Sequence, residues 1–478
     1  MIHLIICREY PPAPGGGIGT YVDHISRLLA EAGETVHVIG QAWRGCPAHH
    51  VSCSGRLIIH RIQVHGQRAH REHKKHPLVK AAVNRPLFGS STGSDSFAWN
   101  AALLAEALVE AENIQIIEAQ EYDAPLYYFQ LRRALGLGPL NKPPCLLHLH
   151  SPTWLIARHN DWDLHQSWLR KIMAREHFSI SAADALVSPS RHLALQVGEH
   201  FGLDYRNTAI IPYPLGYPAR YERSMDTWRS GSICYVGRLE PRKGFLEWLD
   251  AAIRIVEKHP DLRFDFIGAN VIGANRIQSE LIIRRRIPSA MTGNFHFHGH
   301  LPRHAIPAIL SRARMLAVPS RWDNFPYACM EAMSHGLPVL ATRQGGMAEM
   351  IMDGASGWLV DRCDRDSLTS VLTRALGTPP ESLMAMGKEA ARTLSVLCDN
   401  ATIVDRQLTL RRQLARQRPV RNNFSAEAMT LTTKKEFHAW GHRSHWSSVR
   451  SFMSQAALAV RYPGIAMKII REKVAQRP

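Results

Sequence analysis

The chain has 478 residues, which is too long for one compact core and predicts two or three domains. Its 45% hydrophobic and 21% charged residues are ordinary for a globular protein, and no apolar run approaches the roughly 18–20 residues of a membrane-spanning helix. The 58 Lys and Arg against 41 Asp and Glu give a net charge of +17, which predicts an anionic partner without choosing among nucleic acid, phospholipid and nucleotide.

The N-terminal residues and the cysteines indicate a reducing compartment. Met1 to Cys7 is too short for the apolar part of a signal peptide and is better interpreted as a first β-strand, so we expect a cytoplasmic protein. The eight cysteines form no C-x-x-C pair. Reduced thiols are therefore expected instead of a disulfide framework or a zinc site.

A glycine-rich loop follows the first predicted strand and precedes a helix predicted from Tyr21 to Ala32. Gly15, Gly16 and Gly17 would let the backbone approach a ligand, with the helix N-terminus facing an anion. The loop does not complete a dinucleotide fingerprint, because Thr20 stands where the third glycine belongs and no acidic residue closes the second strand. An oxidoreductase is therefore disfavoured.

Basic residues are concentrated between positions 60 and 85. Any one of them is most simply a solvated surface residue, whereas the cluster as a whole suits an anionic surface such as a membrane. A lone Glu72 accompanies seven cations, which are Arg61, Arg68, Arg71, Lys74, Lys75, Lys80 and Arg85.

Two predicted strands of the first half end in polar residues, which is where open α/β sheets bind ligands. The first, predicted from Ile114 to Glu118, leads to Glu121 and Tyr122. The second carries His148 and is followed by His150. Residues two apart on a strand share a face, so both histidines should point the same way. A single histidine is more often structural than catalytic, and the pattern alone leaves this open.

The second half begins with a strand that ends on Gly237, followed by a loop with two cations. Arg238 and Lys243 lie five positions apart around a proline turn, with Arg242 as a plausible helper, and a helix is predicted from Phe245. A guanidinium and an ammonium on one loop can clamp a diphosphate. Without further context, two solvated cations explain the pair equally well.

Residues 319–349 form the most informative stretch of the chain. A predicted strand leads into a loop with Asp323, and the following helix, predicted from Tyr327 to His335, carries Glu331. Loop amides and a helix N-terminus suit phosphate or sugar oxygens, and a carboxylate can accept hydrogen bonds from vicinal hydroxyls. From the two carboxylates alone, a loop cap and a solvated helix residue would be the simpler interpretation.

The wider string resembles the donor-site signature of retaining glycosyltransferases of the GT-B fold, specifically family 4. That signature is an acidic residue, seven others and Glu, followed by Ala-Met-x-x-Gly-x-Pro-Val and a Gly-Gly loop. Asp323 stands where the family usually has Glu. Residues 237–244 match the family's Gly-Arg-Leu-x-x-x-Lys-Gly clamp, and residues 149–153 resemble its Leu-His-Thr-Pro-Ser string. The loop with Gly16 and Gly17 resembles its N-terminal glycine loop.

The resemblance implies an α/β fold of two Rossmann-like, doubly wound domains facing across a cleft. We expect an acceptor-side domain at 1–218, a donor-binding domain at 219–398 and a helix at 399–418 that crosses back to the first domain. A basic helical extension is expected at 419–478. Its apolar periodicity suits amphipathic helices at a membrane surface or against a packing partner.

The resemblance also implies a role for each motif residue. Arg238 and Lys243 would neutralise the diphosphate, Glu331 would hold the ribose, and Asp323 would hold hexose hydroxyls. His150 would contact the donor sugar near the reacting carbon. The remaining donor-binding candidates are Gly16, Gly17, Asn324 and Phe325, and the acceptor-side candidates are Glu121, Tyr122 and His148.

The predicted activity is retaining transfer of a hexose from a nucleotide-diphosphate sugar to a saccharide or lipid-linked acceptor, without metal or cofactor. The expected partners are the donor, the acceptor and an anionic membrane surface on the cytoplasmic side, but not nucleic acid. One alternative is a GT-B nucleotide-sugar 2-epimerase, which would need additional acid/base carboxylates in the cleft. A basic nucleic-acid-binding protein is the other, although the chain has no zinc finger, RNP-type aromatic motif or helix-turn-helix signature.

Overall fold

The computed structural model describes residues 1–13, 15–64, 93–217, 222–273 and 275–417. Most of the basic cluster predicted between 60 and 85 and the whole predicted extension at 419–478 lie outside the described residues. No helix in the described part of the chain combines the length and apolar character of a bilayer span. All eight cysteines are free in the structure.

The first half of the chain builds an eight-stranded sheet in the order β3-β4-β2-β1-β5-β6-β7-β8. Every pairing is parallel except that of β3 with β4. Short apolar runs such as Leu4–Cys7 are buried throughout, as strands covered on both faces require. The strands are β1 (Ile2–Cys7), β2 (Thr35–Gln41), β3 (His49–Ser52), β4 (Leu57–Ile62), β5 (Ile116–Gln120), β6 (Cys145–His148), β7 (Ala185–Ser188) and β8 (Thr208–Ile210).

Helices cover this sheet, and two elements differ from the sequence prediction. The first helix begins at Gly17, four residues before the predicted start. The prediction began too late because the first turn contains glycines, which have a low helix propensity. Strand β5 lies two residues later than predicted, in the register that pairs Ile116 with His3. The helices are α1 (Gly17–Glu31), α2 (Gly93–Glu112), α3 (Tyr127–Ala134), α4 (Thr153–His159), α5 (Ser167–Ser181) and α6 (Arg191–Phe201).

The second half builds a six-stranded, wholly parallel sheet in the order β11-β10-β9-β12-β13-β14. Its strands are β9 (Ser232–Val236), β10 (Phe264–Ile267), β11 (Phe295–Gly299), β12 (Ala313–Val318), β13 (Val339–Thr342) and β14 (Gly357–Val360). Its helices are α7 (Met225–Ser230), α8 (Phe245–Val256), α9 (Arg276–Arg286), α10 (Ile306–Leu310), α11 (Tyr327–Ser334), α12 (Arg365–Leu376) and α13 (Pro380–Leu397).

The last described helix, α14 (Asn400–Arg416), packs back against the first sheet. Ile403 and Leu414 are buried with Ile116 and Leu146 of that sheet. Beside these apolar contacts, α14 buries Arg411, which pairs with Glu118 of β5. The helix therefore joins the end of the second half to the floor of the first.

Arg61 corrects the expectation that the basic cluster starts on a solvated face. Its side chain is buried and donates hydrogen bonds to the carbonyl oxygens of Tyr10, Pro11 and Gln41. A buried guanidinium must have its N–H groups satisfied, and these carbonyls supply acceptors. Arg61 therefore anchors the segment after β1 instead of facing an anionic partner.

Candidate functional site

The predicted cation loop and the predicted acid loop meet at the carboxyl ends of β9 and β12. The Lys243 ammonium pairs with the Asp323 carboxylate, and the Arg242 guanidinium lies 3.4 Å from the same carboxylate. The Arg321 main-chain N–H donates to the carbonyl oxygen of Arg242 at 2.8 Å. Two loops separated by about eighty positions in the chain are thus joined through both side chains and backbone.

Asp323 is an ionised carboxylate in a largely buried setting. Its exposure is only 6%. Burial acts to raise the pKa of Asp323, but the charges of Lys243 and Arg242 outweigh it and hold the pKa below its usual value. Burial lowers the pKa of Lys243, and the Asp323 charge opposes that shift. The sequence analysis assigned Arg242 only a supporting role. In the structure its guanidinium is buried and pairs with both Asp323 and Glu240.

Arg238 is the accessible cation of the clamp. Its side chain is 55% exposed and lies 3.2 Å from Glu240. Burial raises the pKa of both Glu9 and Tyr122, and the charge of Arg238 is among the groups that oppose this rise. Arg238 of the second half therefore lies across the cleft from polar residues of the first half.

The glycine loop lines the same cleft. The Gly16 N–H donates to the Glu9 carboxylate at 3.0 Å, and Gly16 and Gly17 are exposed. A Cβ on Gly17 would lie 3.3 Å from the ring of Tyr327, so the loop approaches the start of α11. Sequence reasoning missed Glu9, although a carboxylate just before a glycine run is a signal for an anchor of the loop.

Glu331 lies on α11 and forms an ion pair with Arg303 at 2.8 Å. Burial raises the pKa of Glu331, and the Arg303 charge opposes the rise. The Arg303 guanidinium also lies 5.6 Å from the centre of the Tyr327 ring and 3.4 Å from Nε2 of His24. Arg303 was not singled out in the sequence analysis, since its position in the loop after β11 does not indicate that it pairs with Glu331.

A cavity of about 560 Å³ opens beside Glu331, between the two halves of the chain. Part of its lining is apolar, with Ile306, Pro307 and Met330, and part consists of titratable side chains of both halves. These titratable side chains are His24, Tyr217, Arg303, His304, Glu331 and His335. The volume lies in the range of roughly 300–1,000 Å³ that is usual for small-ligand pockets.

His150 is held on three sides in the loop after β6. Its main-chain N–H donates to the Glu121 carboxylate at 2.8 Å, and its carbonyl accepts from the side-chain amide of Asn324 at 2.9 Å. Its ring Nδ1 lies 2.6 Å from the hydroxyl of Tyr213. Tyr213, in the segment that leads to the second half, was not singled out by the sequence.

The other predicted residues surround His150. Asn324 also accepts from the Ser190 hydroxyl at 2.6 Å, so its amide bridges the two halves, and Phe325 packs edge-on against Tyr213 at 5.5 Å. The rings of His148 and His150 are 6.0 Å apart, and both contact the ring of Tyr21. His148 is fully buried and lies 2.9 Å from the hydroxyl of Tyr21.

Glu121 supports the His150 loop from within the first half. The carboxylate is fully buried and accepts from the main-chain N–H groups of both His150 and Ser151. Neighbouring Glu176 accepts from the N–H and hydroxyl of Thr153, the first residue of α4. We therefore assign Glu121 to holding this loop, and its predicted acceptor-side contact stays a prediction.

The two buried acids predict a pH-dependent stability. Burial raises the pKa of Glu121 to about 7 and that of Glu176 to about 8, from 4.5. Between pH 4.5 and 8 these two carboxyl groups hold protons in the folded state that they have released in the unfolded state. Their contribution to stability should therefore fall as the pH rises through that range. Each such proton lowers the unfolding free energy by about 1.4 kcal/mol per pH unit. Urea unfolding should be compared at several pH values.

This measurement is best made above pH 6.5. Burial lowers the pKa of His3, His24 and His159 to about 4. Between pH 6.5 and 4 the unfolded state therefore binds protons that the folded state does not, so these histidines make the stability fall as the pH drops through that range. The neutral variant Glu176→Gln should show a shallower slope between pH 6.5 and 8. An equally steep slope in the variant would contradict the assignment of the proton to Glu176.

Comparisons with known proteins match both halves. The model of the glycosyl transferase 4-like domain matches residues 16–214, and that of the group 1 glycosyl transferases matches residues 229–393. Glycogen synthase of Mycobacterium tuberculosis is 24% identical over 384 residues, which cover 79% of this chain and 86% of the relative.

Solved structures share the architecture. Sucrose-phosphate synthase from Thermosynechococcus elongatus has a TM-score of 0.67 at 18% identity, over 86% of this chain and 98% of that one. HepE from Anabaena, in complex with UDP and glucose, has a TM-score of 0.59 at 16% identity, over 85% and 98%. The two parallel-sheet domains confirm the predicted GT-B fold. The chain belongs to the group 1 glycosyltransferases of family 4, enzymes that use nucleotide-sugar donors.

Proposed function

We propose that this glycosyltransferase transfers a hexose from a nucleotide-diphosphate sugar to a saccharide or lipid-linked acceptor, with retention of configuration and without a metal ion. The observation that carries the proposal is the contact of Lys243 with Asp323, which brings a diphosphate-binding cation beside a sugar-binding carboxylate. Arg238 lies in the loop after β9 and Glu331 on the helix that follows β12, and these two strands are neighbours in the second sheet.

The donor diphosphate lies against the cation loop. Arg238 supplies an exposed guanidinium and Lys243 a point charge fixed by Asp323, so negative charge developing on the leaving phosphate meets two cations already in place. The first turn of α11 adds main-chain N–H groups at the same edge of the sheet. Preorganised charge of this kind requires little rearrangement during the reaction.

The nucleoside enters the cavity beside Glu331, whose carboxylate accepts hydrogen bonds from the ribose hydroxyls. Arg303 occupies that carboxylate in the structure, so it moves aside or shares Glu331 when the ribose binds. Both UDP and ADP are donor-nucleotide candidates, because HepE is described in complex with UDP and starch synthase IV from Arabidopsis thaliana in complex with ADP.

The hexose lies between Asp323 and His150. Asp323 is already bonded to Lys243, which favours its use as a hydrogen-bond acceptor over attack on the sugar carbon. The bond from the anomeric carbon to the phosphate oxygen breaks while the bond to the acceptor oxygen forms on the same face. The acceptor proton passes to the departing phosphate oxygen, which balances the reaction and retains the configuration.

A nucleotide screen tests the donor site. UDP, ADP and GDP, with their hexose derivatives, should be compared by thermal shift, since a donor nucleotide at 100 times its Kd stabilises the fold by about 2.7 kcal/mol. Glu331→Gln should reduce the shift, whereas Glu389→Gln, on the exposed face of α13, should not. An undiminished shift in Glu331→Gln would contradict the ribose assignment. Formation of a sugar epimer from donor alone would favour the epimerase alternative.

A further inference from the structure

The orientation of the His150 ring depends on a residue outside every motif of the sequence. Tyr213 lies in the segment after β8, and its ring stacks on the His150 ring at 5.2 Å with an interplanar angle of 22°. On its other side it stacks on Tyr327, the first residue of α11, at 5.5 Å and 5°. Tyr213 is therefore packed between the imidazole of one half and the Glu331 helix of the other.

The hydrogen bond between Tyr213 and His150 can be assigned a direction. The hydroxyl lies 2.6 Å from Nδ1, and burial raises the pKa of Tyr213 far above its ordinary value, so the phenol keeps its proton. In the part of the chain that the structure describes, this hydroxyl has no second acceptor within bonding distance. A proton on Nδ1 would leave the phenolic proton unbonded in a buried place, which is unfavourable.

Burial also lowers the pKa of His150 far below its ordinary value, so the ring is neutral and carries one proton. With Nδ1 accepting from Tyr213, that proton resides on Nε2. Nε2 is buried and has no hydrogen-bond partner among the described residues. A buried N–H without a protein partner is rare and calls for an explanation, of which a role in catalysis is one.

We propose that Tyr213 is a positioning residue that fixes the His150 tautomer with its proton on Nε2, so that the ring donates a hydrogen bond to a hydroxyl oxygen of the donor hexose. The part of this inference that concerns the sugar rests on the proposed function, whereas the part that concerns the tautomer does not. Glu121 and Asn324 hold the His150 backbone, and Tyr213 fixes the remaining freedom of the ring.

Nitrogen NMR of histidine-labelled full-length protein tests the tautomer without substrate. His150 resonances are identified by their loss in His150→Gln. We expect Nε2 protonated and Nδ1 unprotonated in the wild type, and a mixture of tautomers in Tyr213→Phe, which keeps the stacked ring and removes only the hydroxyl. A wild-type His150 with its proton on Nδ1, or an unchanged tautomer in Tyr213→Phe, would overturn the inference.

Kinetics test the consequence for catalysis, using release of nucleoside diphosphate from the donor that stabilises the protein. Loss of one neutral hydrogen bond predicts a kcat about tenfold lower in Tyr213→Phe, with an unchanged donor KM and an unchanged nucleotide shift. His150→Gln should keep more activity than His150→Asn, because only the longer side chain places an amide N–H near the Nε2 position. Tyr205→Phe, outside the site, is the control for loss of a tyrosine hydroxyl.

The two experiments separate the possible failures. A changed tautomer in Tyr213→Phe with unchanged kcat would overturn the role given to Tyr213 while leaving the proposed function intact. Absence of turnover with every nucleotide hexose, in a wild type that has the Nε2–H tautomer, would count against the proposed donor instead.

Discussion

Replacing Lys243 with alanine should lower kcat by about 10²–10³-fold, the loss usual when one preorganised donor to a developing negative charge is removed. The reason is that Lys243 and Arg242 both pair with Asp323, but only Lys243 remains partly exposed, so its ammonium is the one of the two that can reach the diphosphate. The thermal shift given by the donor nucleotide should be lost in the same variant. Both are measured with the nucleotide that stabilises the wild type.

The matched control is Lys258→Ala, which removes an exposed lysine at the end of α8 and should leave both measurements unchanged. Arg238→Ala should weaken nucleotide binding as well, since its guanidinium is the exposed half of the clamp. Because Arg242 remains 3.4 Å from Asp323, the Lys243→Ala protein should stay folded. If Lys243→Ala kept more than a tenth of the wild-type kcat and the full thermal shift with nucleotide, Lys243 would not be a diphosphate-binding residue.

Residues that lie in one continuous string could be predicted from the sequence. Asp323, Glu331 and Lys243 were selected because the strings around them resemble motifs of the family, and their roles stay predictions. Both sheets follow from short apolar runs, since a buried parallel strand leaves that signature in the sequence. Such features need no knowledge of which distant residues become neighbours.

The partners of these residues could not be predicted, because they are brought close only by the tertiary fold. Tyr213 is 63 positions from His150, and Arg303 is 28 positions from Glu331. Glu121 was singled out because it follows a strand, but its hydrogen bonds from the main-chain N–H groups of His150 and Ser151 could not be predicted. Arg61 resembled a surface cation because charge is usually solvated, and only three carbonyls in reach make its burial tolerable.

Replacing Arg411 with methionine should destabilise the first domain by about 3–5 kcal/mol, the usual consequence of leaving a buried charge unpaired. Arg411 is buried on α14 and pairs with Glu118, which is itself buried beneath Tyr21. Methionine fills a similar volume but cannot neutralise the carboxylate. The free energy of unfolding, measured in urea by circular dichroism, should fall accordingly.

The adjacent Arg412→Met variant provides the control, because that arginine is half exposed and its 3.0 Å pair with Glu34 should contribute only about 0.2–1 kcal/mol. Adding Glu118→Gln to Arg411→Met should recover part of the lost stability, since the uncompensated charge is then gone. Equal effects of Arg411→Met and Arg412→Met would show that α14 is held by its apolar contacts alone. Glu118 also lies 3.3 Å from His148, whose ring is next to that of His150. A large effect at Arg411 would therefore show that α14, which returns from the second domain, helps to hold the residues around His150.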